Sequence, residues 1–321
     1  MQTKLGFWSY STHLKNKVIP SIKNNKKIIF SGIFTKKKNL IKSKILKKIK
    51  IFKQKKDFLN SDLFDTVYIS SVNNNHFSAC AQNLTHNKNV ICEKPICTNP
   101  EQLKKLIAIA KKNKLSLREV YQYKFHPLFI KIKKILQTKK IGKLTYCKSE
   151  FTVPLNDKKN FRFNKKLGGG ALYDVGVYPL TIPFFLFDKK KYKIIYAKIN
   201  YSKINKIDIS GKSIINLDGL VFDCSWGFGM DYKNYIYIKG TKGEIKANFI
   251  FSKKILQSGT IELTFKEKKY FIKVPKSNQI NLAFNYYIES KSTWSLKKSI
   301  LILNLLKKVK NFSNSKIKLK Y

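Results

Sequence analysis

Residues 90–119, VICEKPICTNPEQLKKLIAIAKKNKLSLRE, decide the fold class of this chain. A short apolar run over residues 90–92 predicts a buried strand. The segment over residues 100–112 is amphipathic with helical spacing, and Asn99 stands where a helix N-cap is expected. A second apolar run over residues 115–119 predicts another strand. A strand, a helix and a strand in this order are typical of a parallel sheet with helices on its faces.

The same alternation extends over roughly the first 120 residues of the chain. Strands are predicted over residues 5–9, 27–34, 66–70, 90–92 and 115–119. Helices are predicted around residues 14–22, 39–48, 76–84 and 100–112. Short strands that alternate with helices indicate an α/β fold, here an N-terminal doubly wound parallel sheet of the Rossmann type.

The pattern changes after about residue 125. Helices are predicted over residues 127–138 and, at the C-terminal end, within residues 279–310. Strands are predicted between them over residues 143–153, 194–201, 214–217, 220–226, 235–239, 244–249 and 260–266. This part is expected to form a C-terminal α+β domain with an open, mostly antiparallel sheet. We therefore expect two domains, residues 1–125 and residues 126–321.

The formal net charge of +48 does not by itself indicate a nucleic-acid partner. Of the 66 basic residues only Arg118 and Arg162 are arginine, and the lysines are scattered along the chain. Base recognition favours bidentate arginine, and nucleic-acid binders concentrate their charge on one face. We expect no specific nucleic-acid binding, although the charge would attract phosphorylated metabolites.

The five cysteines show neither a disulfide framework nor zinc-ligand spacing, so no metal site is expected. Reduced thiols favour a cytoplasmic location. The N-terminal residues lack the apolar core of a signal peptide. No apolar run approaches the roughly 18 residues that cross a bilayer, so no membrane partner is expected.

The segment after the first predicted strand stands where a dinucleotide-binding fold carries G-x-G-x-x-G. Here it contains Ser9, Tyr10, Ser11 and Thr12, and Leu14 replaces the third glycine. The pattern fails as a fingerprint, but a serine hydroxyl can still donate to a phosphate. We regard all four polar residues as candidate cofactor contacts.

Two further predicted strands are followed by polar residues that are candidate cofactor contacts. Thr35 and Lys36 follow the second strand where an NAD-binding fold has an acid, so a 2′-phosphate and NADP are favoured, with NAD possible. Ser71, Asn73 and His76 follow the third, at the edge where ligands bind in open parallel sheets. The alternative is that Asn74 or Asn75 simply caps the next helix. His126 is expected to be structural.

Two motifs carry the expected chemistry. Glu93-Lys94-Pro95 ends an apolar strand, which is unusual for packing alone. Gly168-Gly169-Gly170-Ala171-Leu172-Tyr173-Asp174-Val175-Gly176-Val177-Tyr178 places a carboxylate and a phenol four residues apart, so both would share one helix face. The glycines allow a close backbone approach to a ligand.

With these motifs the chain resembles the glucose–fructose oxidoreductase / inositol dehydrogenase (Gfo/Idh/MocA) family, in its tyrosine-type branch. The resemblance covers residues 4–180 and continues through residues 222–243. It implies that Glu93 and Arg162 contact the cofactor and that Lys94 lies by the nicotinamide. It also implies a cis bond between Lys94 and Pro95.

The resemblance implies an oxidoreductase that uses NADP or NAD to interconvert a carbonyl and a secondary alcohol on a sugar or nucleotide-sugar. Reduction of a carbonyl needs a proton donor and a cation near the oxygen. Tyr178 would supply the proton, Lys94 would lower the pKa of that phenol and also contact cofactor, and Asp174 would hold a sugar hydroxyl. Residues 1–125 would then bind the dinucleotide, and residues 126–321 would bind substrate.

Two alternatives to this function remain open. The substrate could be a free aldose, a polyol or a cyclic diol. The protein could instead be a catalytically retired binding protein with a decayed cofactor loop. Exposed aromatic residues on the open sheet, Tyr235 and Tyr237 among them, predict a homodimer or homotetramer.

Overall fold

The computed structural model describes residues 2–36, 48–157, 159–290 and 295–318. The chain divides into two compact units. The first comprises Met1–Gln122 and Ile280–Ile300, and the second comprises Tyr123–Gln279 and Leu301–Tyr321. No helix among these described residues is both long and apolar enough to cross a bilayer.

The first unit is built on a parallel sheet of six strands within the described residues, in the order β3-β2-β1-β4-β5-β6. This order is that of the Rossmann fold, and the predicted fold class is confirmed. The strands are β1 (Thr3–Trp8), β2 (Ile28–Phe34), β3 (Lys50–Phe52), β4 (Thr66–Ile69), β5 (Asn89–Glu93) and β6 (Leu117–Val120).

Several strands of this sheet are buried along most or all of their length, as expected for a sheet with helices on both faces. Every residue of β4 and of β6 is buried. The helices in the N-terminal part of this unit are α1 (Ile19–Ile22), α2 (Lys55–Leu59), α3 (Asn73–Thr85) and α4 (Pro100–Lys112), and a π-helical turn, Leu14–Val18, precedes α1. The prediction for α4 is confirmed, and Asn99 Oδ1 accepts a hydrogen bond from Glu101 N at 2.8 Å as its cap.

Three details of the first unit differ from the sequence expectation. Helix α3 begins at Asn73 rather than at residue 76, with no side-chain cap, so neither Asn74 nor Asn75 caps it. Strand β3 and helix α2 were not predicted, because both are short and lie in a lysine-rich stretch. The helix predicted over residues 39–48 falls almost wholly outside the described residues.

Residues 280–300 were assigned to the second domain from sequence, whereas in the structure they group with the first unit. Helix α8 (Gln279–Glu289) supplies the physical reason. The Phe284 ring lies 5.3 Å from that of Tyr68 in β4, and the Tyr287 hydroxyl accepts a hydrogen bond from Tyr121 N at 3.2 Å. The first break also falls after residue 122 rather than after residue 125.

The second unit is built on a sheet of eight strands within the described residues, in the order β14-β13-β12-β11-β7-β10-β9-β8. Neighbouring strands are antiparallel except for β7 and β10, which are parallel. The strands are β7 (Leu144–Val153), β8 (Lys193–Tyr201), β9 (Asp208–Leu217), β10 (Leu220–Phe228), β11 (Lys233–Gly240), β12 (Gly243–Asn248), β13 (Gln257–Phe265) and β14 (Lys268–Ser277).

Helices cover one face of this second sheet. Helix α5 packs on β13 and β14, and α6 packs on β7 and β10. The helices with residues in this unit are α5 (Pro127–Gln137), α6 (Val177–Leu180), α7 (Ile182–Phe185) and α9 (Ser295–Lys318). Strand β14 was not predicted because it is an edge strand with Val274 as its single buried residue, so the alternating pattern is missing.

Candidate active site

The loop after β1 takes the backbone conformation of a glycine loop without containing glycine. Ser9 has φ +79°, in the left-handed region that glycine adopts without strain. Its N–H donates to Phe34 O in β2 at 2.9 Å, which fixes the turn. Tyr10 is buried and Thr12 is exposed. The four candidate cofactor contacts therefore lie in the segment that directly follows β1, and their contact with a cofactor stays a prediction.

Ser11 connects this loop to the turn that follows it and to the end of β4. Its Oγ accepts a hydrogen bond from Leu14 N at 3.0 Å and so caps the π-helical turn that follows. The same hydroxyl donates to Ser70 Oγ, just after β4, at 3.1 Å. Ser11 thus joins the ends of β1 and β4, the two strands between which the order of this sheet reverses.

Thr35 and Lys36 follow β2 at the same edge. Thr35 is buried, and its N–H donates to Phe52 O at 3.1 Å. The side chain of Lys36 is exposed. Since the carboxyl ends of parallel strands share one edge, this cation lies on the ligand-binding side of the sheet.

Residues that follow β4 are buried and polar. The Ser71 hydroxyl is buried and has no hydrogen-bond partner within the described residues. Asn73 is buried at the first position of α3. His76 Nδ1 lies 2.7 Å from Pro95 O and His76 Nε2 lies 2.9 Å from Ser71 O, so both ring nitrogens face backbone carbonyls. His76 thus bridges the segments that follow β4 and β5, and its predicted contact with a cofactor stays a prediction.

Glu93 ends β5 as a buried carboxylate. Its Oε1 accepts a hydrogen bond from the Tyr68 hydroxyl at 2.5 Å, and His13 Nε2 lies 3.4 Å away in ion-pair contact. Burial alone would raise the pKa of Glu93, but His13, the Tyr68 hydroxyl and the Lys94 ammonium together lower it. The carboxylate is therefore ionised beside Lys94. The bond between Lys94 and Pro95 is cis, as expected.

The glycine segment of the second unit is shaped by close backbone contacts. A Cβ on Gly170, which has φ +122°, would overlap the carboxylate of Asp208. Asp208 Oδ2 accepts a hydrogen bond from Leu172 N at 2.5 Å and so starts a second π-helical turn, Leu172–Gly176. Turns of this kind recur at functional sites. Sequence reasoning missed Asp208, since a lone acid at the start of a strand carries no signal.

Asp174 lies in this turn and pairs with Arg162. The Arg162 Nε donates to Asp174 Oδ2 at 2.5 Å, and the guanidinium stacks 4.9 Å from the centroid of the Phe161 ring. Asn160 Oδ1 accepts from Arg162 N at 3.2 Å and holds the loop that carries it. The structure thus joins a residue predicted to contact cofactor to one predicted to contact substrate.

Tyr178, in α6, is buried inside a cage of aromatic rings. Its ring centroid lies 5.1 Å from that of Phe151, 5.6 Å from that of Phe251 and 6.0 Å from that of Tyr123. Its backbone carbonyl accepts a hydrogen bond from Thr181 Oγ1 at 2.6 Å. The direction in which the phenol points is therefore set by packing on three sides of the ring.

A buried lysine lies in the segment that supplies Phe251 to this cage. Lys253 Nζ donates to Ile250 O at 2.6 Å, and burial lowers its pKa to about 7. Nearby His126 caps α5 by accepting from Leu128 N at 3.0 Å, and its pKa is lowered to about 4 by burial and by Lys253. The structural role expected of His126 is confirmed. Sequence analysis did not single out Lys253, because lysines are frequent throughout this chain.

Two family models match the chain. Residues 17–121 match the oxidoreductase family with an NAD-binding Rossmann fold, and residues 129–246 match the GFO/IDH/MocA C-terminal domain. The chain belongs to the Gfo/Idh/MocA family. The resemblance inferred from the Glu93-Lys94-Pro95 and glycine motifs is thereby confirmed for the family, while the tyrosine-type branch stays a prediction.

Curated relatives match parts of the chain. A trans-1,2-dihydrobenzene-1,2-diol dehydrogenase of Xenopus laevis is 32% identical over 134 residues, 42% of this chain and 40% of the relative. A dTDP-3,4-didehydro-2,6-dideoxy-alpha-D-glucose 3-reductase of Saccharopolyspora spinosa is 26% identical over 221 residues, 68% of this chain and 66% of the relative. The chain thus matches between 40% and 66% of the length of these two relatives.

A solved structure matches nearly the whole fold. KijD10, a 3-ketoreductase from Actinomadura kijaniata in complex with NADP and TDP-benzene, superposes with a TM-score of 0.90 at 18% identity. The match covers 97% of this chain and 98% of KijD10. At this identity the likeness establishes the fold alone.

Proposed function

We propose that this protein is a dinucleotide-dependent oxidoreductase that interconverts a carbonyl and a secondary alcohol on a sugar or nucleotide-sugar. The observation that carries the proposal is Lys94, which follows a buried, ionised Glu93 at the ligand-binding edge of a Rossmann sheet. Family membership and the reductases and dehydrogenases among the relatives support it. Tyr178 and Asp174 supply the remaining chemistry.

We propose NADP as the preferred cofactor, with NAD as the weaker ligand. The residues at the edge of the first sheet fit a dinucleotide. The left-handed Ser9 opens the loop after β1, and the buried Ser71 hydroxyl offers a donor with no protein partner in the described part of the chain. The exposed Lys36 suits a 2′-phosphate. A bound nicotinamide would supply or accept the hydride.

The side chains of this protein would handle charge and protons. Lys94 would stabilise the negative charge that develops on the carbonyl oxygen. Tyr178, held by its aromatic cage, would give the proton during reduction and take it back during oxidation. Asp174, oriented by Arg162, would accept a hydrogen bond from a substrate hydroxyl. We assign the protein to the tyrosine-type branch on this basis.

Turnover by Tyr178→Phe tests the proposal. The substitution keeps the ring and its packing but removes the hydroxyl, so kcat should fall by about 10²- to 10⁴-fold while cofactor affinity is kept. NADPH oxidation with a panel of keto-sugars and dTDP-keto-sugars gives kcat, and NADPH fluorescence gives the Kd. An unaltered protein that binds NADPH but oxidises it with no member of the panel would contradict the proposed substrate class.

A cyclic diol is the second candidate substrate, because the relative with 32% identity over 134 residues is named a trans-1,2-dihydrobenzene-1,2-diol dehydrogenase. NADP reduction with trans-cyclohexanediols separates the two candidates. A higher kcat/KM for the diols than for any sugar would favour the second.

We further propose a cytoplasmic homodimer or homotetramer formed through the uncovered face of the second sheet. That face carries tyrosines bonded to acids: the Tyr235 hydroxyl donates to Glu150 Oε2 at 3.0 Å, and the Tyr237 hydroxyl donates to Glu244 Oε2 at 2.6 Å. Half-exposed rings with satisfied hydroxyls suit an interface. Sedimentation that finds only monomer at micromolar concentration would contradict it.

A further inference from the structure

One peptide group beside Lys94 is held at both of its polar ends. The carbonyl of Pro95 lies 2.7 Å from His76 Nδ1, and the N–H of the next residue, Ile96, donates to Glu119 Oε1 at 3.0 Å. These two atoms belong to the same peptide plane. Two buried side chains from different elements therefore fix the orientation of the plane that directly follows the Lys94-Pro95 turn.

Glu119 reaches this peptide group from the neighbouring strand. In the register of the sheet Glu119 in β6 lies opposite Cys92 in β5, and its side chain is 2% exposed. The Tyr121 hydroxyl donates to the same Oε1 at 3.2 Å. The Ile96 amide therefore donates to a buried oxygen that Tyr121 also holds in place, so Glu119 anchors this amide through a water-excluded hydrogen bond.

His76 acts on the opposite end of the peptide group. Burial, opposed by hydrogen bonds to Pro95 and Ser71, lowers its pKa, so the imidazole is neutral near pH 7. Of the two ring nitrogens, Nδ1 makes the shorter contact, 2.7 Å to the Pro95 carbonyl against 2.9 Å for Nε2 to Ser71 O, and in the Nδ1–H tautomer it donates to Pro95. An N–H donor at the carbonyl and an accepting oxygen at the amide polarise the peptide in the same sense, and the two hydrogen bonds strengthen each other.

We propose that Glu119 is a positioning residue for Lys94 and acts through the Pro95–Ile96 peptide with His76 as its counterpart. The proline ring fixes φ of Pro95, so few free torsions separate the held plane from the Lys94 backbone. The inference rests on the proposed function, in which Lys94 must meet the reacting oxygen. A displacement of about 1 Å at such a group costs on the order of 10²-fold in rate.

Three variants test the inference. Glu119→Met keeps the length of the side chain and removes the acceptor, and Glu119→Gln restores a neutral acceptor. Val90→Ala, at the other end of the buried strand β5, is a matched control for general loss of stability. The readouts are amide exchange at Ile96 by NMR, acetylation of Lys94 by mass spectrometry, kcat and the Kd for NADPH.

We expect Glu119→Met to accelerate Ile96 exchange and Lys94 acetylation at least about 10-fold, and to lower kcat about 10- to 100-fold with the Kd nearly kept. Glu119→Gln should restore most of the protection of the Ile96 amide and of Lys94, and most of kcat. Val90→Ala should not selectively change Ile96 exchange, Lys94 acetylation or kcat. Unchanged exchange and acetylation in Glu119→Met would overturn the inference, as would their acceleration with unchanged kcat. An unaltered protein without turnover would refute the proposed function alone, since exchange and acetylation need no substrate.

Discussion

Arg162 Nε and Asp174 Oδ2 lie 2.5 Å apart and join two parts of the second unit, a short loop and the π-helical turn of the glycine segment. The Asp174 side chain is mostly buried, whereas that of Arg162 is about one third exposed. The arginine therefore orients the carboxylate and keeps part of its own guanidinium accessible. The two residues act as one group.

We predict that the effects of Arg162→Ala and Asp174→Ala on stability are not additive. Removal of either residue already breaks the ion pair, so the double variant should be more stable than the sum predicts, by about 1–2 kcal/mol. Urea unfolding of the four proteins measures this coupling. The exposed pair Lys104 and Glu101, 3.0 Å apart, is the matched control and should show almost none. Equal coupling in both cycles would contradict the prediction.

Lys36→Glu should reverse or erase the preference for NADPH. A carboxylate at the end of β2 repels a 2′-phosphate and accepts from a ribose 2′-hydroxyl instead. The ratio of the Kd values for NADH and NADPH, from fluorescence titration, checks it. Lys111→Glu makes the same charge change on exposed α4 and should leave the ratio alone. Equal affinities for both cofactors in the unaltered protein would show that Lys36 does not determine a preference for NADPH.

Ser9→Gly should stabilise the protein by about 1 kcal/mol, because a left-handed backbone is strained for serine and not for glycine. Ser78→Gly, on an exposed position inside α3, should do the reverse by a similar amount. Urea midpoints of both variants measure the two effects. If Ser9→Gly destabilises the protein, the Ser9 side chain holds the loop in a way that outweighs the strain.

Lys253→Met should raise stability near pH 7, and its advantage should shrink at higher pH. The pKa of Lys253 is about 7 in the fold and 10.5 in the reference state, so between these values only the unfolded chain binds the proton. Stability from this residue therefore rises with pH across that window. We expect a gain of about 1–4 kcal/mol at pH 7. Lys254→Met, exposed one residue away, is the control for urea unfolding at pH 7 and pH 9.5. A gain that is independent of pH would contradict the assignment.

Much of the fold is predictable because strands of a doubly wound sheet are buried on both faces and helix caps have local signatures. Helix α4, with Asn99 before it, shows both. The elements that were not predicted correctly from sequence are those that are stabilised by contacts with residues distant in the chain. Strand β14 is held by pairing with β13, and residues 280–300 join the first unit through rings of α8. Such partners are distant in sequence and leave no local pattern.

The residues of the candidate site could be predicted from sequence motifs, but the side chains that hold those motifs in place could not. Lys94, Asp174 and Tyr178 stand in motifs with fixed spacing, whereas Asp208 and Glu119 lie on other strands and reach these motifs through side-chain hydrogen bonds. A signal for Glu119 did exist: two adjacent charged residues, Arg118 and Glu119, interrupt an otherwise apolar strand. Charged residues in a fully buried strand need partners, so such a pair marks buried hydrogen bonds.

The discontinuous first unit has a consequence for how the protein is made. Its sheet is encoded before residue 123, but α8, which packs on Tyr68, is encoded after the whole second sheet. At ribosomal rates of about 5–20 residues per second, the six strands must wait on the order of ten seconds or more for that helix to emerge. The nascent Rossmann sheet would present the uncovered Tyr68 region to chaperones during this interval, and a fragment that ends near residue 125 should precipitate rather than fold.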